Sequence, residues 1–297
     1  MKKNSSQIWT IRVLSLLFCA LNFGALAHTQ DSALTEPVIS LQLETEMSRA
    51  RGRALIPVII SFDRAVKPNR FRQVDRSERR ARLVEAMKAE SLSTRRRWRR
   101  TILASGGQRM KRLWVRNAIA VELPPAAISR IAARRGVRRI DFDATIFSSS
   151  STFSGNTTPE WNLDVIGASS VWNYGVIGKG ATVASMDSGA DAGHDDLAPR
   201  WRGGAGGWFD PHGVYAQPYD TDGHGTQTIG LMVAGDATGT RLGVAPGADW
   251  IAAKIFDDQG EALVSDIEMS FQWLLDPDND PQTDDAPNVV NNSWGYD

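Results

Sequence analysis

The charge of this chain reverses sign near residue 140, and the reversal limits what the chain can fold into. Over residues 49–140, 26 lysines and arginines stand against 6 aspartates and glutamates, a formal +20; over residues 141–297 the numbers are 5 and 24, a formal −19. Together with the −1 of residues 1–48, the two blocks cancel, so the 297 residues carry a formal net charge of zero. Opposite blocks of this size mark two units with different jobs, or two units built to touch. Hydrophobic residues at 42% and charged residues at 23% supply enough apolar material for packed domains and exclude wholesale disorder.

Lys2, Lys3 and Arg12 precede an apolar run over residues 13–20, and Ala25-Leu26-Ala27 follows. A basic flank, a short apolar stretch and a small-x-small end predict a secretory signal peptide over residues 1–27, and with it a secreted or periplasmic chain. A membrane anchor is the alternative, but this run is short and Ser15, Asn22 and Gly24 interrupt it. No later apolar run is long enough to span a bilayer, so the mature form is expected to hold no membrane segment. The single cysteine, Cys19, lies inside the signal, which leaves the mature chain without disulfide or thiol chemistry.

Residues 28–53 show little pattern and read as a leader. Residues 54–147 read as a small α+β unit. Residues 56–62 are a strand rich in Val and Ile. Ser77 is placed to cap a helix running toward Ser105, with Leu83, Val84 and Met87 on one face, and Gly106-Gly107 ends it. Strands follow over 109–115 and 118–123. Pro124-Pro125 opens a short helix with Ile128 and Ile131 inward, Gly136 closes it, and 137–142 is a last strand. The order β-α-β-β-α-β predicts a ferredoxin-like unit. Residues 148–158, which begin with a run of Ser and Thr, read as a linker. In residues 159–297, strands over 181–186, 249–255 and 288–292 alternate with helices over 226–234 and 264–275. Such alternation predicts an α/β domain with a parallel sheet covered on both faces.

Three short segments carry the chemistry. Asp187-Ser188-Gly189 ends a buried strand, at the sheet edge where α/β proteins build sites; an Asp there can equally just cap a turn. Asp222-Gly223-His224-Gly225-Thr226 puts His224 in the first turn of a helix, where the positive helix end favours neutral imidazole able to accept a proton; it can equally be a surface histidine. Residues 289–295, Val-Val-Asn-Asn-Ser-Trp-Gly, form a strand that breaks into a polar edge able to pair with an extended peptide, or an ordinary strand end.

Taken together, Asp187, His224 with Gly225-Thr226, Gly243-Val244-Ala245-Pro246-Gly247-Ala248 and Asn291-Asn292-Ser293-Trp294-Gly295 closely resemble the subtilisin-like serine peptidases, the subtilases of peptidase family S8. Trp161–Asp164 and Val171-Trp172-Asn173 add a likeness to the bacillopeptidase F branch. The resemblance covers about residues 161–296, with the aspartate before the histidine as in that family. It implies a subtilisin-like fold for residues 159–297, polypeptide substrates and no required cofactor. Asp187 would orient His224 and stabilise its imidazolium, and His224 would be the general base and acid. Ser293, Trp294 and Gly295 would line the substrate cleft through their backbone. Gln227 stands where the family commonly has a second histidine. Residues 54–147 resemble, more weakly, the subtilase propeptide, an inhibitor and chaperone of its own peptidase. The basic unit is then expected to dock on the acidic one, with its tail over 143–151 reaching past Asp187 and His224 to pair beside Ser293-Trp294-Gly295.

One part of the family pattern is missing. The nucleophile belongs to a Gly-Thr-Ser motif, yet after His224 the sequence offers only Gly225-Thr226-Gln227 and Gly239-Thr240-Arg241. Ser188 belongs to the aspartate turn. The oxyanion asparagine of the family is also not matched. The expectation is a subtilase precursor cut short before its serine, inactive by itself. A protein of another class, a non-catalytic binder or inhibitor of proteases, is the alternative.

Weaker signals complete the sequence. Asp276, Asp278, Asp280, Asp284 and Asp285 imitate the start of a calcium loop, but Pro281 and Pro287 stand where that loop needs Gly and Glu. His194, His212 and His224 lack zinc-ligand spacing, so no metal is assigned, and calcium at the acidic loop is kept as an alternative to a solvated loop. Arg95-Arg96-Arg97-Trp98-Arg99-Arg100 could bind nucleic acid with Trp98 stacked on a base; a solvated helix face is the expectation for an exported chain, with no nucleic-acid partner.

Overall fold

The computed structural model describes residues 38–52, 54–148, 161–237, 239 and 241–295. The expected signal peptide, residues 28–37 of the expected leader and residues 149–158 of the linker lie outside the described residues.

Alternation along the strands of the basic unit puts apolar side chains on both faces of its sheet. The unit runs α1 (Leu41–Arg49), β1 (Ile56–Phe62), α2 (Arg76–Ala104), β2 (Gln108–Leu113), β3 (Ala118–Leu123), α3 (Pro125–Ala132) and β4 (Val137–Phe142). The strands lie in the order β2-β3-β1-β4, each antiparallel to its neighbour, which is the ferredoxin-like arrangement. Val58, Ile60, Phe62, Ile119 and Val121 meet Trp98 and Ile102 of α2 and Ile128 and Ile131 of α3. Ile59, Leu113, Ala118 and Ala120 face the other way. Helix α2 starts at Arg76 with Asp75 at its cap position, so Ser77 falls inside the first turn and not at the cap. Helix α1 lies where a patternless leader was expected. Ser40 caps it, accepting from the Leu43 amide at 3.4 Å, Leu43 is fully buried, and Ile39 bridges Ile140 of β4.

The chain continues through β5 (Thr145–Phe147), α4 (Trp161–Val165), α5 (Ala168–Trp172), β6 (Thr182–Asp187), β7 (Trp208–Phe209), α6 (His224–Val233), β8 (Asp249–Lys254), β9 (Glu261–Leu263), α7 (Val264–Leu275) and β10 (Val289–Asn291). Strands β10-β6-β8-β7 form a parallel sheet in that order. Its strands are apolar on both sides because helices cover both. Val183, Trp250 and Ala252 pack against Ile229 and Val233 of α6. Met186, Ile251 and Ala253 pack against Ile267, Trp273 and Leu274 of α7 on the opposite face. The α/β fold with a parallel sheet is therefore as the sequence predicts.

Helix α7 joins the two sheets. Its other side carries Val264 and Met269 onto the Ile59, Leu113, Ala118 and Ala120 face of the antiparallel sheet, where two alanines admit close approach. Charge crosses the same joint. Lys111 Nζ donates to Asp266 at 2.6 Å and Arg116 to Glu268 at 2.5 Å. Gln272 Oε1 accepts from the backbone amides of Trp114 and Val115. At the N-terminal half of α2, Lys88 donates to Asp276 and to Asn279, and Arg80 to the carbonyls of Leu275 and Thr283. Asp143, just after β4, accepts from the Ser265 amide in the first turn of α7 at 2.9 Å, satisfying an otherwise orphaned helix donor. Beyond it, β5 pairs antiparallel with β9, and Ser148 N–H donates to Gly260. The tail thus lies along β9; among the described residues it does not pair with Ser293-Trp294-Gly295, and 149–151 lie outside them.

Candidate active site

Three segments distant in sequence converge at the C-terminal ends of β6 and β8. Strand β6 delivers Asp187, which is 1% exposed. Helix α6 begins at His224, after Gly223 at φ 84°, a left-handed conformation that suits glycine and turns the chain into the helix. Helix α6 can lie this close to the strand end only because two glycines meet there. A Cβ on Gly225 would overlap the Gly189 backbone, and one on Gly189, at φ 144°, would overlap the Tyr219 carbonyl.

The contact so produced is a hydrogen bond of 2.7 Å between His224 Nδ1 and Asp187 Oδ1. The Ser188 amide donates to the same oxygen at 2.7 Å. Asp187 Oδ2 is buried with no hydrogen-bond partner. Burial pushes the Asp187 carboxyl above its ordinary range, and the bond from His224 opposes that push. The imidazole is held by Nδ1, its side chain is 22% exposed, and Nε2 has no partner among the described residues. With Nδ1 donating to the carboxylate, Nε2 carries the free lone pair, the arrangement of a base poised toward a proton.

A second layer fixes this pair, and the sequence motifs did not expose it. Ser188 Oγ accepts from the Gly225 amide at 2.9 Å and donates to Asp220 Oδ1 at 2.9 Å. Asp220 Oδ2 accepts from the Thr226 amide and hydroxyl at 2.7 and 2.5 Å. Lys254, opposite Asp187 in the β6–β8 register and 1% exposed, donates to the Ser188 carbonyl at 2.7 Å and to Thr221 Oγ1 at 2.8 Å. Its charge is balanced by Asp258 at 3.4 Å. Asp258 also takes hydrogen bonds from Thr221 and Tyr215, which hold its carboxyl below the ordinary range and push the Tyr215 phenol up to about 12. A charged residue ending an apolar strand is the signal that could have flagged Lys254.

Ser293, Trp294 and Gly295 follow β10, at one edge of the parallel sheet. Ser293 and Gly295 are exposed. The Trp294 indole donates to the Met186 carbonyl at 2.9 Å and packs edge-on against Phe256, tying this segment to the strand that ends in Asp187. Trp98 is 6% exposed and packs on Phe62, so it is not available to stack on a base. Asp276, Asp278 and Asp285 place carboxylate oxygens within 4.8 Å of one another. Lys88 sits on Asp276, and Arg80 lies 3.6 Å from Asp285, so α2 supplies the counter-charge of this loop.

Known proteins resemble this chain in sequence and in fold. The Subtilase family, Peptidase S8, matches residues 178–297. Bacillopeptidase F of Bacillus subtilis is 34% identical over 207 residues, covering 61% of this chain and 14% of that protein. The thermostable alkaline protease of Halalkalibacterium halodurans is 31% identical over 159 residues, covering 53% of this chain and 40% of that protein. The chain thus spans less than half the length of these relatives. Among solved structures, fervidolysin of Fervidobacterium pennivorans, a keratinolytic enzyme related to subtilisin, aligns over 83% of this chain and 36% of its own, with TM-score 0.52 and 18% identity. The epidermin leader peptide processing serine protease of Staphylococcus aureus aligns over 80% and 50%, with TM-score 0.55 and 13% identity, a likeness of fold. Sequence match and fold point the same way: residues 178–297 match the Subtilase family, and the described fold is similar to that of these subtilisin-related structures.

Proposed function

We infer that this chain carries the aspartate–histidine half of an exported subtilisin-type endopeptidase, with polypeptide substrates. The observation that supports it most is the 2.7 Å bond from His224 Nδ1 to a buried Asp187 at the end of a parallel strand. In this reading Asp187 fixes the tautomer of His224 and stabilises its imidazolium, and His224 Nε2 takes the proton of a serine and returns it to the leaving amine. Ser293-Trp294-Gly295 offers backbone groups to an extended substrate, with Trp294 anchoring the segment. Residues 54–147 act as a propeptide, and the β5–β9 pairing is the contact by which its tail holds the peptidase. The same docked sheet also supports a second reading, a protein that captures related proteases without cleaving. The chemistry needs no cofactor, and Asp276, Asp278 and Asp285 are assigned no metal while Lys88 and Arg80 neutralise them.

The 297 residues contain no serine in a Gly-Thr-Ser context after His224, so this polypeptide alone is proposed to be inactive. Purified chain is incubated with casein and with a fluorophosphonate probe. No cleavage and no labelling are expected. Labelling that disappears in His224→Ala would show a nucleophile within these residues and overturn the assignment.

A further inference from the structure

We propose that the outward face of the basic unit is a docking surface for an anionic phospholipid bilayer, used by the precursor at the membrane. The charge split does not by itself explain this face. The antiparallel sheet is a wall: α7 and the acidic unit lie against one side, and α2 and α3 against the other. The cations that cross to the acidic unit come from β2, the β2–β3 turn and the N-terminal half of α2: Lys111, Arg116, Arg80 and Lys88.

Six other arginines make no ion pair with it among the described residues. Helix α2 has 29 residues, a length of about 43 Å, and its last turns carry Arg96, Arg99 and Arg100, all exposed. Arg134, Arg135 and Arg138, also exposed, lie around the turn between α3 and β4. Close packing joins the two groups, since a Cβ on Gly136 would lie 3.6 Å from the Trp98 ring and 4.0 Å from Arg97 Nη2. None of these six arginines has an ion-pair partner among the described residues. Such a face is self-repelling unless it meets a dense array of anions, and guanidinium groups match phosphate oxygens in pairs.

The form of the face selects a bilayer. With Trp98 buried, no aromatic ring stands free among these arginines for base stacking. Leu92 and Leu103, 36% and 42% exposed, flank Arg96 and Arg99 on one helical stripe and give it apolar ends. The N-terminal segment also joins the unit beside this face: Val38 accepts from Ile140 of β4, two residues from Arg138. On the export reading, the precursor that carries these arginines passes an anionic membrane surface.

The test is flotation of the full chain with vesicles of phosphatidylcholine alone or mixed with phosphatidylglycerol. Binding to the mixed vesicles is expected to exceed that to neutral ones by about tenfold or more at low salt, and to fall as salt rises. The triple variant R96E/R99E/R134E, with unchanged circular dichroism, should lose most of that excess. Lys179→Glu with Arg200→Glu, on the acidic unit, should lose none. Equal binding to both vesicles, indifference to the triple variant, or displacement by duplex DNA at equal phosphate would each overturn the proposal. Because the readout involves no peptide hydrolysis, its failure leaves the peptidase reading untouched, and the reverse also holds.

Discussion

Replacing Ser188 by alanine tests whether the second layer really holds the Asp187–His224 pair. The hydroxyl makes two bonds, one from the buried Gly225 amide and one to Asp220. Removing it leaves the Gly225 N–H, in the first helical turn where no intrahelical carbonyl can serve it, without a partner; that costs about 1–3 kcal/mol. The bond to the Asp220 carboxylate adds about 1 kcal/mol, since Asp220 is half-exposed and water replaces part of it. The total, about 2–4 kcal/mol, corresponds to a fall in melting temperature of roughly 4–16 °C for a chain of this size. Thermal unfolding followed by circular dichroism measures it, with Ser188→Thr as the companion that keeps the hydroxyl. A loss below about 1 kcal/mol in Ser188→Ala, or an equal loss in both variants, would refute the argument that this hydroxyl couples α6 to β6.

Two further outcomes follow from the joint between the units. Lys111→Met strands Asp266, whose side chain is 3% exposed, and should cost about 3 kcal/mol in thermal unfolding, whereas Arg241→Ala, which breaks the exposed pair with Asp236, should cost less than about 1 kcal/mol. Asp143 and Glu268 are both pushed up by burial, so each binds its proton more tightly in the folded chain than in the unfolded one. Their contribution to stability is fully present below the unfolded carboxylate range and is lost as pH rises through the raised folded values. Melting temperatures taken from neutral toward mildly acidic pH should therefore rise in this window, and Asp143→Asn should flatten the rise.

What was legible in the sequence was what local pattern determines. Helix α7 occupies the predicted residues because its apolar positions serve two partners, one on each side. Asp187 and His224 announced themselves through glycine-flanked motifs, since close backbone approach needs glycine at fixed places. Trp98 was expected on a solvated helix face because of the arginines around it, and the structure buries it instead: Ser91, Thr94, Trp98 and Ile102 follow helical spacing and are all buried. Helix α1 was not readable, because Leu43 is the one residue in it that is buried. Strands β5 and β9 are three residues each, and their partners are more than a hundred residues apart, so neither exists without the tertiary fold. Asp220 and Lys254 were missed for a related reason: they lie 32 and 66 residues from Ser188 and meet it only in the folded chain. Each is an ordinary charged residue until the fold places Ser188 between them.

One hydrogen bond joins the two halves of the catalytic pair, and nitrogen-15 NMR of the chain with labelled histidine observes it directly. The prediction is that neutral His224 carries its proton on Nδ1, that this proton resonates at low field and exchanges slowly, and that Asp187→Ala abolishes the signal while Ser293→Ala leaves it in place. A His224 ring protonated on Nε2 instead, or a low-field proton indifferent to Asp187→Ala, would contradict the assignment of Asp187 and His224 as a catalytic pair.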